Sequence, residues 1–352
     1  MGTFLLGELL PPCVKYNMFM AKERLLGFDL ARVVAIFVVI GIYHNLNYAG
    51  MYLEPAVRVL VYSSLGVFTF LSAFLLSSKY AFAEKVEVLA FYKKRVLRIY
   101  PLFVVSSLLL VIIGINTWVP TLKGLIGISP FWGPHPTTMW YVAMLISLYI
   151  ITPFVIRGGL KIQLFKAVAV MALIGLIEII FGTVVPRTFN YYTVYMVGLI
   201  LGRNYYEQTM RFLRSKKTLL ISLVWLILVV VVFLTKNNYL KSISSVIGII
   251  ALLNLSLLVV EWLRANRFFT ESVTALSYAS FCAYLFHREV IWVMFHVFKP
   301  QGAMPIFLYV LILGVPLSFF CAYWIQKGYD KLLEQMTRKS DGHLATSPKD
   351  NL

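Results

Sequence analysis

An ionisable ring in an apolar run is the most chemically suggestive feature of this sequence. His44 lies near the far end of GFDLARVVAIFVVIGIYHN, a segment that opens with Asp29 and Arg32. Imidazole, with an ordinary pKa of about 6.5, can take a proton from an attacking hydroxyl and return it near neutral pH. A titratable side chain inside a membrane span is costly and by default marks a functional site. His44 stands twelve residues beyond Arg32, about 18 Å along a helix. Asp29 and Arg32 are three residues apart, so they share a helix face and can neutralise each other. From position alone, His44 is either a general base or a residue that hydrogen-bonds a neighbouring helix. Asp29 and Arg32 are either part of a catalytic network or an anchor for topology.

Further ionisable groups occur late in the chain. His287, Arg288 and Glu289 follow one another inside SYASFCAYLFHREVIW, and Glu178 lies in another apolar run. Such residues suit a proton or ion path, or the lining of an enzyme cavity. The loop ISPFWGPHPTTMW, ending at Trp140, is rich in proline and tryptophan. Its rings either anchor the chain at a membrane interface or shape the rim of a substrate groove. Glu178, Trp140 and His287 are therefore the candidates for substrate binding. Cys13, Cys282 and Cys321 have no paired spacing and read as packing residues, and no metal centre is expected.

The elements that must position these groups are membrane helices. Of 352 residues 60% are apolar and only 13% charged, whereas soluble chains carry about a quarter charged residues. The composition implies an all-α, polytopic bundle. Spans of about 20 residues are expected at 27–48, 56–78, 100–118, 140–157, 167–185, 190–203, 218–235, 243–262, 276–298 and 305–326, the sixth being short. The net charge of +17 does not indicate nucleic acid, because Lys and Arg collect in alternate connections. By that bias both termini face the cytoplasm, in agreement with an even number of spans. The expected organisation is a cytoplasmic segment 1–26, a transmembrane domain 27–326 and a disordered cytoplasmic tail 327–352. Met20, followed by AKERLLGFDLAR, is an alternative start, and no cleavable signal is expected.

Five segments in order carry a resemblance: LLGFDLARVVAIFVVIGIYH, GVFTFLSAFLL, FYKKRVLRIYPLF, MWYVAMLISLYIITPF and SYASFCAYLFH. Together they are similar to the integral-membrane acyltransferase-3 family, from about Leu25 to Trp324. That family includes O-acyltransferases of bacterial surface polysaccharides. The resemblance implies a ten-span enzyme of the inner (plasma) membrane that moves an acyl group, expected to be acetyl, from acyl-CoA to a hydroxyl of a glycan or lipid-linked saccharide. It implies His44 as the catalytic base, preceded at a fixed distance by Arg32, with Asp29 or another carboxylate aligning the network only if the cavity brings them together. Arg95 and Arg98 are implied to hold the phosphate-bearing end of the donor, whose oxyanions guanidinium forks match. No permanently bound cofactor is implied; acyl-CoA is a co-substrate and the bilayer and the glycan are the partners.

Three departures stand out. Ala73 replaces a family glycine, and Arg288 stands where proline is frequent. Eleven residues separate Arg32 from His44, one more than the family has. At about 100° per residue, the extra residue swings His44 roughly 120° off the face of Arg32. Either a bulge near Gly41 absorbs it or the two groups face different surroundings. A covalent acyl-histidine is a variant of the same chemistry. A transporter or flippase using Glu178, His287 and Glu289, or an inactive scaffold, is the alternative from the residues alone, although no internal duplication supports a transporter.

Overall fold

The computed structural model describes residues 25–51, 55–184 and 186–345. The alternative start at Met20, Cys13 and the end of the tail lie outside them. Ten long helices occur where spans are expected: α1 (Leu26–Tyr48), α2 (Pro55–Lys79), α3 (Lys85–Ile112), α5 (Trp140–Ile156), α6 (Leu160–Phe181), α7 (Pro186–Asn204), α9 (Lys216–Thr235), α10 (Asn238–Leu263), α11 (Arg267–Val297) and α12, which begins at Ala303. Two short helices, α4 (Trp118–Leu125) and α8 (Tyr206–Leu213), sit in connections. No strand occurs among the described residues. The sixth expected span is a full helix of 19 residues. Helix α3 begins well before the expected start at 100, so Arg95 and Arg98 lie on the helix itself.

Seven of the long helices are apolar and long enough to cross a membrane by themselves. Helices α5, α7 and α11 fall short of that measure. Helix α5 is apolar but only 17 residues long, whereas α7 and α11 carry more polar residues, which neighbouring helices of the bundle can satisfy. The lipid-type surface falls instead to helices such as α6 and α9, whose Ile179 and Leu234 are exposed.

Small residues allow α2 and α7 to cross closely. Gly198 and Gly202 of α7, four apart, face Ala73, Phe74 and Ser77 of α2, and a Cβ on Gly202 would run into the Phe74 carbonyl. This is the small-xxx-small arrangement that lets membrane helices approach closely. It also explains Ala73: the methyl group lies against Gly198, so the two positions divide the available space.

Helix α1 is not a uniform coil. Val38–His44 forms a π turn, whose wider winding takes up one residue relative to an α-helix. The twelve steps from Arg32 to His44 therefore act as eleven, which at about 100° each return to nearly the same face. A second π turn, Val310–Gly314, interrupts α12. Asn45 joins the two regions by donating to Gly41 O at 3.2 Å and Phe307 O at 2.9 Å.

The expectation of a disordered segment from residue 327 needs correction. Helix α12 continues to Ala345. Tyr278 donates to Asp330, Gln326 donates to Asp330 Oδ1 at 2.8 Å, and Tyr329 donates to Leu97 O, so the helix is tied to α11 and α3 beyond the expected span.

Candidate active site

Helices α1 and α11 bring together the two histidines singled out in the sequence. His44 Nδ1 and His287 Nε2 lie 2.6 Å apart, with the rings nearly parallel at 13° and their centroids 4.7 Å apart. Both are buried, His44 at 6% and His287 at 0% exposure, and face each other across the helix contact rather than lipid.

The hydrogen-bond partners fix the neutral tautomers. His287 Nδ1 donates to Tyr284 O at 2.8 Å, with Ala283 O at 3.2 Å. Its Nε2 must then carry a lone pair, which accepts from His44 Nδ1–H. His44 Nε2 is left with a lone pair and no protein hydrogen bond among the described residues. A backbone carbonyl thus passes its preference through one ring and leaves the second poised to accept a proton. This is the base-plus-orienter arrangement of nucleophilic and general-base sites.

The surroundings are polar and aromatic. Tyr43 lies 5.3 Å from the His44 ring and Tyr284 6.2 Å from His287, centroid to centroid. From Tyr284 a series of edge and tilted ring contacts runs through Tyr141 (5.7 Å) and Tyr191 (6.0 Å) to Trp140 (6.0 Å). Arg187 ends the series with its guanidinium 4.0 Å from the Trp140 ring.

Arg288 donates to Thr138 Oγ1, and Tyr284 donates to Thr138 O at 2.6 Å. The loop before α5 is therefore pinned directly over the histidine pair. Thr138 is held at φ 66°, a left-handed conformation that is strained for a β-branched residue. Beside them, Glu289 Oε1 accepts from Ser106 Oγ at 2.6 Å, joining α11 to α3.

The basic candidates gather at the other end of the bundle. Arg32 Nη1 donates to Asp29 Oδ1 at 3.0 Å, and the same oxygen accepts from Ser277 Oγ at 2.6 Å, so the pair ties α1 to α11. Arg98 is within electrostatic reach of Arg32. Arg95 lies between the rings of Phe91 (5.7 Å) and Tyr149 (5.6 Å), and its buried Nε has no hydrogen-bond partner among the described residues.

The sequence candidates thus divide into groups. His44 and His287 meet; Arg32, Arg95 and Arg98 cluster apart from them; Trp140 faces the aromatic series. Asp29 belongs to the basic cluster and makes no hydrogen bond with His44, the orienting place being taken by His287 rather than a carboxylate. Glu178 stands apart: its Oε2 accepts from Val184 N at 2.7 Å and its carbonyl from Gly182 N at 2.7 Å, closing the end of α6. That carboxylate is a helix-end cap rather than a deep charge. Sequence reasoning missed Tyr141, Tyr191, Arg187 and Thr138. The tyrosine-rich stretch NYYTVY, too polar for a lipid-facing helix, was the available signal for Tyr191.

Comparison with known proteins completes the assignment. No curated protein and no solved structure matches the chain. The acyltransferase-3 family model, an acyltransferase domain, matches residues 25–325, the whole stretch that carries the histidine pair, the basic cluster and the aromatic series. The chain therefore belongs to the acyltransferase-3 family of membrane acyltransferases.

Proposed function

We propose that this protein transfers an acyl group, acetyl by expectation, from acyl-CoA to a hydroxyl of a cell-surface or lipid-linked glycan. His44 is the general base and His287 the residue that positions its ring. The observation that carries this reading is the 2.6 Å contact of His44 Nδ1 with His287 Nε2, which leaves His44 Nε2 free to receive a proton. The acceptor oxygen bonds to the thioester carbonyl carbon as its proton passes to Nε2. The carbon–sulfur bond then breaks, and the departing thiolate takes the proton back.

The positive charge that develops on His44 strengthens its hydrogen bond to His287, so that bond stabilises the transition state more than the ground state. Arg95, Arg98 and Arg32 are the groups suited to the donor's phosphates. The unpartnered Nε of Arg95, held between two aromatic rings, supports that role. With the basic end at the cytoplasmic face, the donor's arm extends along the about 18 Å that separate Arg32 from His44. The alternation of Lys and Arg between connections supports a plasma-membrane protein with cytoplasmic termini.

The test is release of free coenzyme A from acetyl-CoA by purified full-length protein supplied with extracted surface glycan, alongside mass spectrometry of the glycan. Wild-type protein should release thiol and add acetyl mass to the glycan. His44→Ala should do neither, and an active His44→Ala protein would remove the assignment.

A further inference from the structure

At the far end of the aromatic series, Arg187 has no carboxylate within 4 Å among the described residues. It lies in the first turn of α7, where the helix dipole opposes a cation rather than supporting one. Its Nε is buried and unpartnered, and so is the hydroxyl of Tyr191 one turn later, a side chain only 3% exposed. Both line a hollow of about 30 Å³ between α2, α7 and α10, whose other polar walls are Tyr62, Asn190, Ser242 and Ser245. That volume accepts the oxygens of a small anionic group. None of the walls is a carboxylate, and the Arg187 Nε–H and the Tyr191 hydroxyl are both donors.

The guanidinium carbon lies 4.0 Å from the Trp140 ring centroid, a contact that holds the cation without neutralising it. The buried Nε–H of a half-buried guanidinium and a buried hydroxyl, neither hydrogen-bonded among the described residues, cost stability unless a ligand supplies the missing acceptor. Through Tyr191, Tyr141 and Tyr284 the hollow is joined to the histidine pair by successive ring contacts.

We infer that the acceptor carries a negatively charged oxygen group, a carboxylate or a phosphate, which Arg187 and Tyr191 bind while a hydroxyl of the same molecule is presented to His44. This rests on the acyl-transfer reading above. The charge can come from an acidic sugar or from the phosphate of a lipid-linked saccharide.

Binding is measured in the His44→Ala protein, so that the result does not depend on the base assignment. Full-length protein in phosphatidylcholine nanodiscs is titrated with methyl glucuronate, farnesyl diphosphate and methyl glucoside. At least one anionic probe should bind more tightly than methyl glucoside, and which one does so identifies the source of the charge. Arg187→Gln should weaken that probe about tenfold or more, the loss of a charge-assisted hydrogen bond, and leave the neutral sugar unchanged. Tyr191→Phe, which removes one hydroxyl and keeps the ring, should weaken the same probe by a smaller factor, and Arg187→Lys should retain part of the binding. The inference is overturned if neither anionic probe binds more tightly than methyl glucoside. It is equally overturned if Arg187→Gln and Tyr191→Phe both leave the anionic probes unchanged, or if phosphatidylglycerol discs abolish anionic-probe binding, which would assign the hollow to bulk lipid headgroups.

Discussion

His287 should matter to turnover in a specific, bounded way. Its Nε2 accepts from His44 Nδ1–H at 2.6 Å, and its own Nδ1 is held by Tyr284 O at 2.8 Å. When His44 takes a proton, that bond becomes charge-assisted, a contribution of about 1.5–3 kcal/mol. At about 1.4 kcal/mol per factor of ten, His287→Ala should lower kcat roughly 10- to 150-fold. His44→Ala removes the base itself and should lose about 10²–10⁴-fold. Because the two rings act as a unit, the double variant should be no slower than His44→Ala alone. His287→Gln should recover much of the loss, since an amide oxygen can accept from Nδ1–H. The assay is initial-rate coenzyme A release across the four single and double variants, with thermal unfolding of each to separate misfolding from chemistry. Wild-type kcat in His287→Ala, or a full additional loss when His287→Ala is added to His44→Ala, would refute the coupling.

Other consequences follow from the helix geometry and the loop. Deleting Ile42 should turn the π region of α1 into a regular α-helix while keeping Arg32 and His44 on one face. That variant should retain turnover, whereas an alanine inserted after Ile42, which rotates His44 by about 100°, should abolish it; the reverse order would show that the π turn does not set the register. Gly202→Ala places a methyl group against the Phe74 carbonyl and should cost about 1–3 kcal/mol by overpacking, read as a lower unfolding temperature of the detergent-solubilised protein. In the loop before α5, burial, helped by the charges of Arg187 and Lys123 and opposed by a hydrogen bond with the Ser129 backbone, lowers the pKa of His135 from 6.5. The unfolded chain then takes up a proton that the folded one refuses as pH falls below about 6.5. Stability should decline below that pH and level off once the folded form also titrates, and His135→Gln should flatten the decline in a pH series of unfolding temperatures.

Composition and apolar runs determined the class of this protein, because each membrane helix must satisfy its own backbone hydrogen bonds and present enough apolar surface, requirements written locally in the chain. The extra residue of the first helix was legible: the Arg32-to-His44 spacing left either a bulge near Gly41 or two groups facing different surroundings, and the π turn at Val38–His44 is the bulge. The ionisable character of His44 and His287 was equally plain from their positions in apolar runs. What the sequence could not determine was their partnership, for 243 residues separate them and contact across helices depends on packing rather than on spacing. The tertiary structure alone tied Asp29 to Ser277 of α11 and brought Arg187 of α7 beside Trp140 of α5, whereas Glu178 is held by backbone amides just past its own helix end. The physical reason is that burial and hydrogen-bond partners, which decide what a charged or polar side chain does in a membrane, are set by the neighbours a helix acquires when the bundle closes.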